Sequence, residues 1–336
     1  MLKELDAYLK DVQATDLGAL EKDITSHVLD PTGGPVSFDI KIRDNPAFLS
    51  KSRVAPGREM RKLEITADLR PKILSDDCMF CDPEKCAKFA PETGLEKQYF
   101  LNDSMSFSNW FTSGEIHGVV VYNYKQHIIR PKDLTMENWL DSLNLVKKIG
   151  KLTKKSYVSL HNNFGSKAAA SLEHFHGQFH CEDMPLARTQ LSMERSNRAY
   201  WKSWVKAMNN IDMVVDFDEE SKTVLYVEWS PVFGKVELVI INLESPSFVT
   251  MSEKETDAVA RFLQRSVSIV SEISDQMNIV NLSAAQDDDY CNQFRVFPRA
   301  PMNKALKVWE GYLEFMGETV PHIDPEKIAE LARQIG

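Results

Sequence analysis

Apolar positions change period several times along the chain, and each change marks a predicted element. Leu2, Leu5, Leu9 and Val12 recur at helical spacing near the amino terminus. The later run from Arg53 to Lys62 holds Pro56, Gly57 and a string of basic residues and reads as a loop. Residues 1–75 are therefore expected to form a helical and irregular segment packed on the core.

From Cys78 onward one order of elements occurs twice. Gly118–Tyr122 is an apolar strand, followed by a turn and a helix opening near Thr135. Val236–Ile241 reads the same way, followed by a helix starting at Ser252. Ser252 and Glu255 have the capping-box spacing that satisfies free amides at a helix start. Each helix is followed by a strand-like stretch, Tyr157–Leu160 and Met277–Leu282, and then by a half-polar strand, His174–His180 and Asn292–Phe297. The spacing between copies is too long for a solenoid and fits a duplicated α+β unit, over residues 76–200 and 201–336.

The half-polar strand His174-Phe175-His176-Gly177-Gln178-Phe179-His180 carries the chemistry. Period two puts His174, His176, Gln178 and His180 on one face and Phe175, Gly177 and Phe179 on the other. A neutral imidazole is a good nucleophile toward phosphorus, and a phosphorylated imidazole is a reactive leaving group. Gln178 projects to the same side and can donate its amide to a phosphoryl oxygen. Gly177 leaves room for close approach of a ligand or of packed chain. Upstream, the small residues between Asn162 and Ser171 suit a phosphate-binding loop.

Composition narrows the field only modestly. With 336 residues, 43% hydrophobic and 26% charged, the chain has the make-up of a soluble globular protein. No run is long and apolar enough for a membrane span, and the charged start Met1–Asp6 does not suit a signal peptide. A cytoplasmic protein without membrane partners is expected. A net charge of −9 argues against nucleic acid as a partner, though not against a small anion met by local donors.

Five cysteines, three of them at Cys78, Cys81 and Cys86, do not suggest a disulfide framework. The Cys78-x-x-Cys81 spacing lets two thiolates share a tetrahedral metal, and His127 and His174 complete a Cys2His2 zinc site. Cys86 can replace one ligand in that set, and His180 or His117 a histidine. A redox pair and two free buried thiols are the other readings of the spacing.

Together these residues resemble the galactose-1-phosphate uridylyltransferase family, within the histidine-triad superfamily. Cys78-Met79-Phe80-Cys81 is similar to the family's zinc-binding Cys-x-Phe-Cys, and His127 stands where its first zinc histidine does. Tyr99-Phe100-Leu101-Asn102-Asp103 resembles the segment whose Asn-Asp pair touches the nucleoside. Asn163-Phe164-Gly165 and Ser171 resemble the nucleotide-phosphate loop. His174-Phe175-His176-Gly177-Gln178 is similar to the active-site His-Pro-His-Gly-Gln, with Phe175 in place of proline.

The resemblance implies zinc on His174, the nucleotide on His176 and the phosphate against Gln178. It also implies two histidine-triad-like halves in pseudo-twofold relation, each an antiparallel sheet with helices, with zinc in the first and the second degenerate. A homodimer follows from the same likeness. The partners expected are a nucleotide sugar or dinucleotide and a sugar phosphate or inorganic phosphate. In the second half, Asn292–Arg299 contains no histidine, so no second metal of the family's kind is expected there. Arg295 and Lys307 are the candidate contacts for an anionic acceptor. A sugar-phosphate acceptor makes a uridylyltransferase, inorganic phosphate a phosphorylase and water a hydrolase. A zinc-stabilised nucleotide-binding module without chemistry is the remaining class.

Overall fold

A computed structural model describes residues 2–29, 35–54, 78–110, 112–165, 168, 170, 172–274, 276–299, 318–321 and 323–335. The amino-terminal helix α1 (Lys3–Tyr8) buries Leu5 and is followed by the buried Leu9, as the helical spacing predicts. The next stretch departs from the expected irregular segment. Strands β1 (Glu21–Leu29), β2 (Pro35–Asn45) and β3 (Ser50–Val54) form an antiparallel sheet, which β14 (Glu318–Thr319) extends in parallel along β3. The available signal is the alternation Val36, Phe38, Ile40, Ile42, diluted by the charged residues between them. Arg53 and Val54 close β3, and the rest of the predicted loop lies outside the described residues.

The second sheet has ten strands: β4 (Tyr99–Leu101), β5 (Ser104–Ser108), β6 (Ile116–Val121), β7 (Tyr157–Phe164), β8 (His176–Glu182), β9 (Val214–Asp218), β10 (Thr223–Val227), β11 (Leu238–Asn242), β12 (Met277–Leu282) and β13 (Gln293–Pro298). Their order across the sheet is β4-β5-β6-β8-β7-β12-β13-β11-β10-β9, antiparallel throughout. Read inward from either edge, the connectivity is the same. The expected sheet of each half is thus fused with the other through β7 and β12, where Asn162–Phe164 pair with Met277–Ile279.

Helices α2 (Met136–Thr153) and α5 (Glu253–Ser271) connect β6 to β7 and β11 to β12. Each opens on a capping box, Thr135 with Asn138 and Ser252 with Glu255. Each buries one apolar face: Trp139, Leu143, Val146 and Ile149 on α2, and Val259, Phe262, Leu263 and Val270 on α5. The helices touch, and Lys147 on α2 donates to the Met251 carbonyl at 2.7 Å just before α5 and to the Thr256 hydroxyl at 2.6 Å within it.

Matching hydrogen bonds relate the two halves residue by residue. The Asn162 amide on β7 donates to the His176 carbonyl, and the Asn281 amide on β12 donates to the Gln293 carbonyl, both at 2.9 Å. Gln178 lies opposite His161 and Val119, and Arg295 opposite Val280 and Val239. Gln293 therefore occupies the place of His176, and Arg295 that of Gln178. Helices α3 (Ala187–Arg195) and α4 (Arg198–Asn210) intervene between the halves, and α6 (Pro325–Gln334) closes the chain.

Candidate active site

Phe175 and Phe179 point into the core, where Phe175 packs edge-on against Tyr122 and Trp139. Gly177 shares that side. A Cβ there would stand 2.9 Å from Leu160 and 3.1 Å from Val120 and Asn162, so the close approach is made by packed side chains under the strand. Its neighbours His176 and Gln178 are thereby held on the opposite face.

The segment carrying Cys78 and Cys81 covers part of that face, with the Phe80 ring 4.8 Å from the His176 ring. Four ligand atoms, from Cys78, Cys81, His127 and His174, lie within 4.8 Å of one another. The His174 Nδ1 is 3.4 Å from the Cys78 sulfur and 3.5 Å from that of Cys81, which is 3.5 Å from the His127 Nδ1. Zinc bond lengths of about 2.3 Å to sulfur and about 2.0–2.1 Å to nitrogen give a tetrahedral S···N edge of about 3.5 Å. The cluster can hold a metal ion. His174 donates its Nε2 proton to the Asn123 carbonyl at 2.8 Å, which leaves Nδ1 with a lone pair for the cluster. Burial and the neighbouring Cys78 push the Cys81 thiol up to about 12, a penalty that a cation bound between the sulfurs would reverse. Cys86 turns its sulfur to the Met79 carbonyl instead, and neither His117 nor His180 joins the cluster.

His176 is 4% exposed and has a fixed tautomer. Its Nδ1 is 2.7 Å from the His174 carbonyl, an acceptor, so Nδ1 carries the proton and Nε2 the lone pair. Burial lowers its pKa, which favours the neutral ring. Gln178 accepts at Oε1 from His117 Nε2 at 3.0 Å and from the Asn109 amide at 3.3 Å. Beyond Gln178, the rings of His117 and His180 stack at 4.1 Å, and Ser113 Oγ lies 3.2 Å from a nitrogen of each. His161 completes this group, its ring 6.4 Å from that of His180. Burial is the main cause that lowers the pKa of His161 to about 3 and of His180 to about 4.

The other predicted contacts fall in several places. Asn163 accepts from Asn278 at 2.7 Å on the seam between the halves, and Gly165 turns the chain there with φ +83°. Asn102 binds the Asp141 carboxylate of α2 at 3.0 and 3.1 Å, and Asp103 pairs with Lys125 at 2.7 Å. Ser171 and Lys307 lie outside the described residues.

Arg295 requires a correction. It is fully buried, its guanidinium shared by Glu237, Glu228 and Gln293 and flanked by the rings of Phe48, Trp201 and Phe233. A cation so enclosed fills the core and does not meet an acceptor in solvent. Burial raises Glu228 to about 7, with the Glu237 carboxylate adding to the rise and Arg295 opposing it.

No family model and no curated protein matches the sequence. Solved structures do match in fold. An ADP-glucose phosphorylase from Arabidopsis thaliana with bound ADP-glucose superposes with a TM-score of 0.68 at 15% identity, over 88% of this chain and 99% of that one. A GalT-like protein from the same organism gives 0.66 at 15% identity over 88% and 99%. A uridylyltransferase gives 0.57 at 14% identity over 88% and 98%. The chain has the GalT-like fold. A likeness at this identity carries the fold alone. No described helix of the chain is long and apolar enough to cross a membrane.

Proposed function

We propose that the protein is a nucleotidyltransferase working through a covalent intermediate on His176. Nε2 attacks the α-phosphorus of a nucleotide sugar, a P–N bond forms, and the bond to the leaving sugar phosphate breaks. An oxygen of a second phosphate-bearing molecule then attacks the same phosphorus and releases His176. The observation that carries this reading is the His176 tautomer, which leaves Nε2 unprotonated on the same face as Gln178.

Zinc is the metal we assign to Cys78, Cys81, His127 and His174, on their donor set and spacing. When bound it supplies structural rigidity, since four protein ligands leave no open position for substrate. The chain's own residues do the rest: Gln178 donates to the phosphoryl oxygens, and the His174 carbonyl holds the imidazole proton.

The phosphorylase reading has one observation in its favour, the fold likeness to the ADP-glucose phosphorylase. Intact mass after mixing with ADP-glucose or UDP-glucose should show one added nucleoside monophosphate, lost on addition of inorganic phosphate or of a sugar 1-phosphate. Which acceptor discharges it separates phosphorylase from transferase, and loss in water alone gives a hydrolase. An adduct that persists in His176→Asn would sink the assignment of nucleophile.

A further inference from the structure

Resting on that reading, we propose that Asn109, Ser113 and His117 are positioning residues that fix which end of the Gln178 amide faces the phosphoryl group. A glutamine side chain can present oxygen or nitrogen, and only nitrogen donates to a phosphoryl oxygen. Its orientation here is set by a chain that begins at the main chain. The Ser113 backbone N–H, a donor that cannot reverse, lies 3.1 Å from His117 Nδ1. That nitrogen must accept, so in the neutral ring the proton sits on Nε2.

Nε2 is 3.0 Å from Gln178 Oε1, and the Asn109 amide nitrogen is 3.3 Å from the same oxygen and 3.1 Å from Nε2; with Nδ1 taken by the Ser113 N–H, the two nitrogens are neighbouring donors that converge on Oε1. Two donors on Oε1 leave the Gln178 N–H groups turned away from them. The His117 ring is 6% exposed and is held from behind by the stacked His180. Burial lowers the pKa of His117, in keeping with the neutral form that this chain of bonds requires.

Asn109 and Ser113 belong to the connection between β5 and β6, so one short turn reads the state of β8 across the sheet. The group touches Gln178 and not the metal cluster. Its effect on chemistry therefore runs through one side chain.

Two measurements test this on the full chain. Long-range proton–nitrogen NMR of 15N-histidine protein should show His117 protonated at Nε2 and bare at Nδ1; the opposite tautomer overturns the proposal. Single-turnover adduct formation should slow roughly 10- to 100-fold in His117→Ala, a smaller loss than the roughly 10²- to 10³-fold typical when a transition-state donor is removed outright. The double variant His117→Ala/Gln178→Ala should be no slower than Gln178→Ala, whereas losses that multiply would assign His117 a separate role and overturn it. Asn109→Ala, on the loop, gives the same comparison if His117→Ala fails to fold. A wild-type protein that forms no adduct would overturn the catalytic reading, and the ring-nitrogen measurement would still decide the lock.

Discussion

The two halves of the ten-stranded sheet carry the same hydrogen bond from an asparagine side chain to a strand carbonyl, yet their polar faces end in different environments. In the first half His176 and Gln178 lie beside neutral imidazoles and a cysteine cluster. In the second, Gln293 and Arg295 sit at the matching places, sealed with Glu228 and Glu237 beneath Phe48 and Trp201. What covers the face makes the difference. Arg43, Asn45 and Ser230 bind the amino-terminal sheet to the second half through the Trp229 and Ser230 carbonyls and the Arg43 carbonyl. That docking turns a polar strand face into core, and a cation placed there must bring its own counter-charges.

The largest effect should separate the halves by chemistry. His176→Asn is expected to lower turnover by roughly four or more orders of magnitude, while the melting temperature moves by only a few degrees. Residual covalent labelling in that variant would remove the nucleophile from the first half. Arg295→Met should do the reverse. Breaking a buried ion pair costs about 3–5 kcal/mol, read as a lower urea midpoint, with adduct formation per folded molecule unchanged. A shift under about 1 kcal/mol would show that the carboxylates simply take up protons and that the pairing matters little.

A smaller, more pointed test uses the shared hydrogen bond. Asn162→Ala and Asn281→Ala each leave a buried carbonyl without its donor, for about 1–3 kcal/mol each. Only Asn162→Ala should also slow adduct formation, because its partner carbonyl belongs to His176. Equal slowing in both variants would erase the functional asymmetry.

The last effect is in pH, and it grows only as the medium is acidified. The folded pKa of His161 lies below its ordinary value, so the unfolded chain binds the proton first as pH falls. Stability should therefore decline below pH ~6.5 by about 1.4 kcal/mol per pH unit for this one proton, continuing toward the folded value of about 3. His180 acts in the same direction. Val280 takes the place of His161 in the second half and titrates nothing. His161→Gln should flatten the acid side of a stability profile; an unchanged slope would place the sensitivity elsewhere.

Much of the candidate site was legible because it is local. Period two separates His176 and Gln178 from Phe175, just before β8, and from Phe179 within it, and the cysteine spacing brings two thiols together in one short turn. Arg295 was misread because a polar position in a strand looks the same whether water or carboxylates wait beside it. Its partners stand 58 and 67 residues away, and the rings around it come from beyond the sheet. The part played by His117 depends on register, which places it opposite His180 and within reach of Gln178. Strands β1–β3 were hidden by their charged positions, although β2 alternates from Val36 to Ile42.

The bond from His176 Nδ1 to residue 174 has a further consequence for how the site can vary over generations. Its acceptor is main chain, so no codon change at position 174 deletes it. A lineage that lost the histidine there would give up a metal ligand and still inherit the oxygen that orients the neighbouring ring. A single substitution at position 174 would thus separate the cluster from the orientation of the His176 ring.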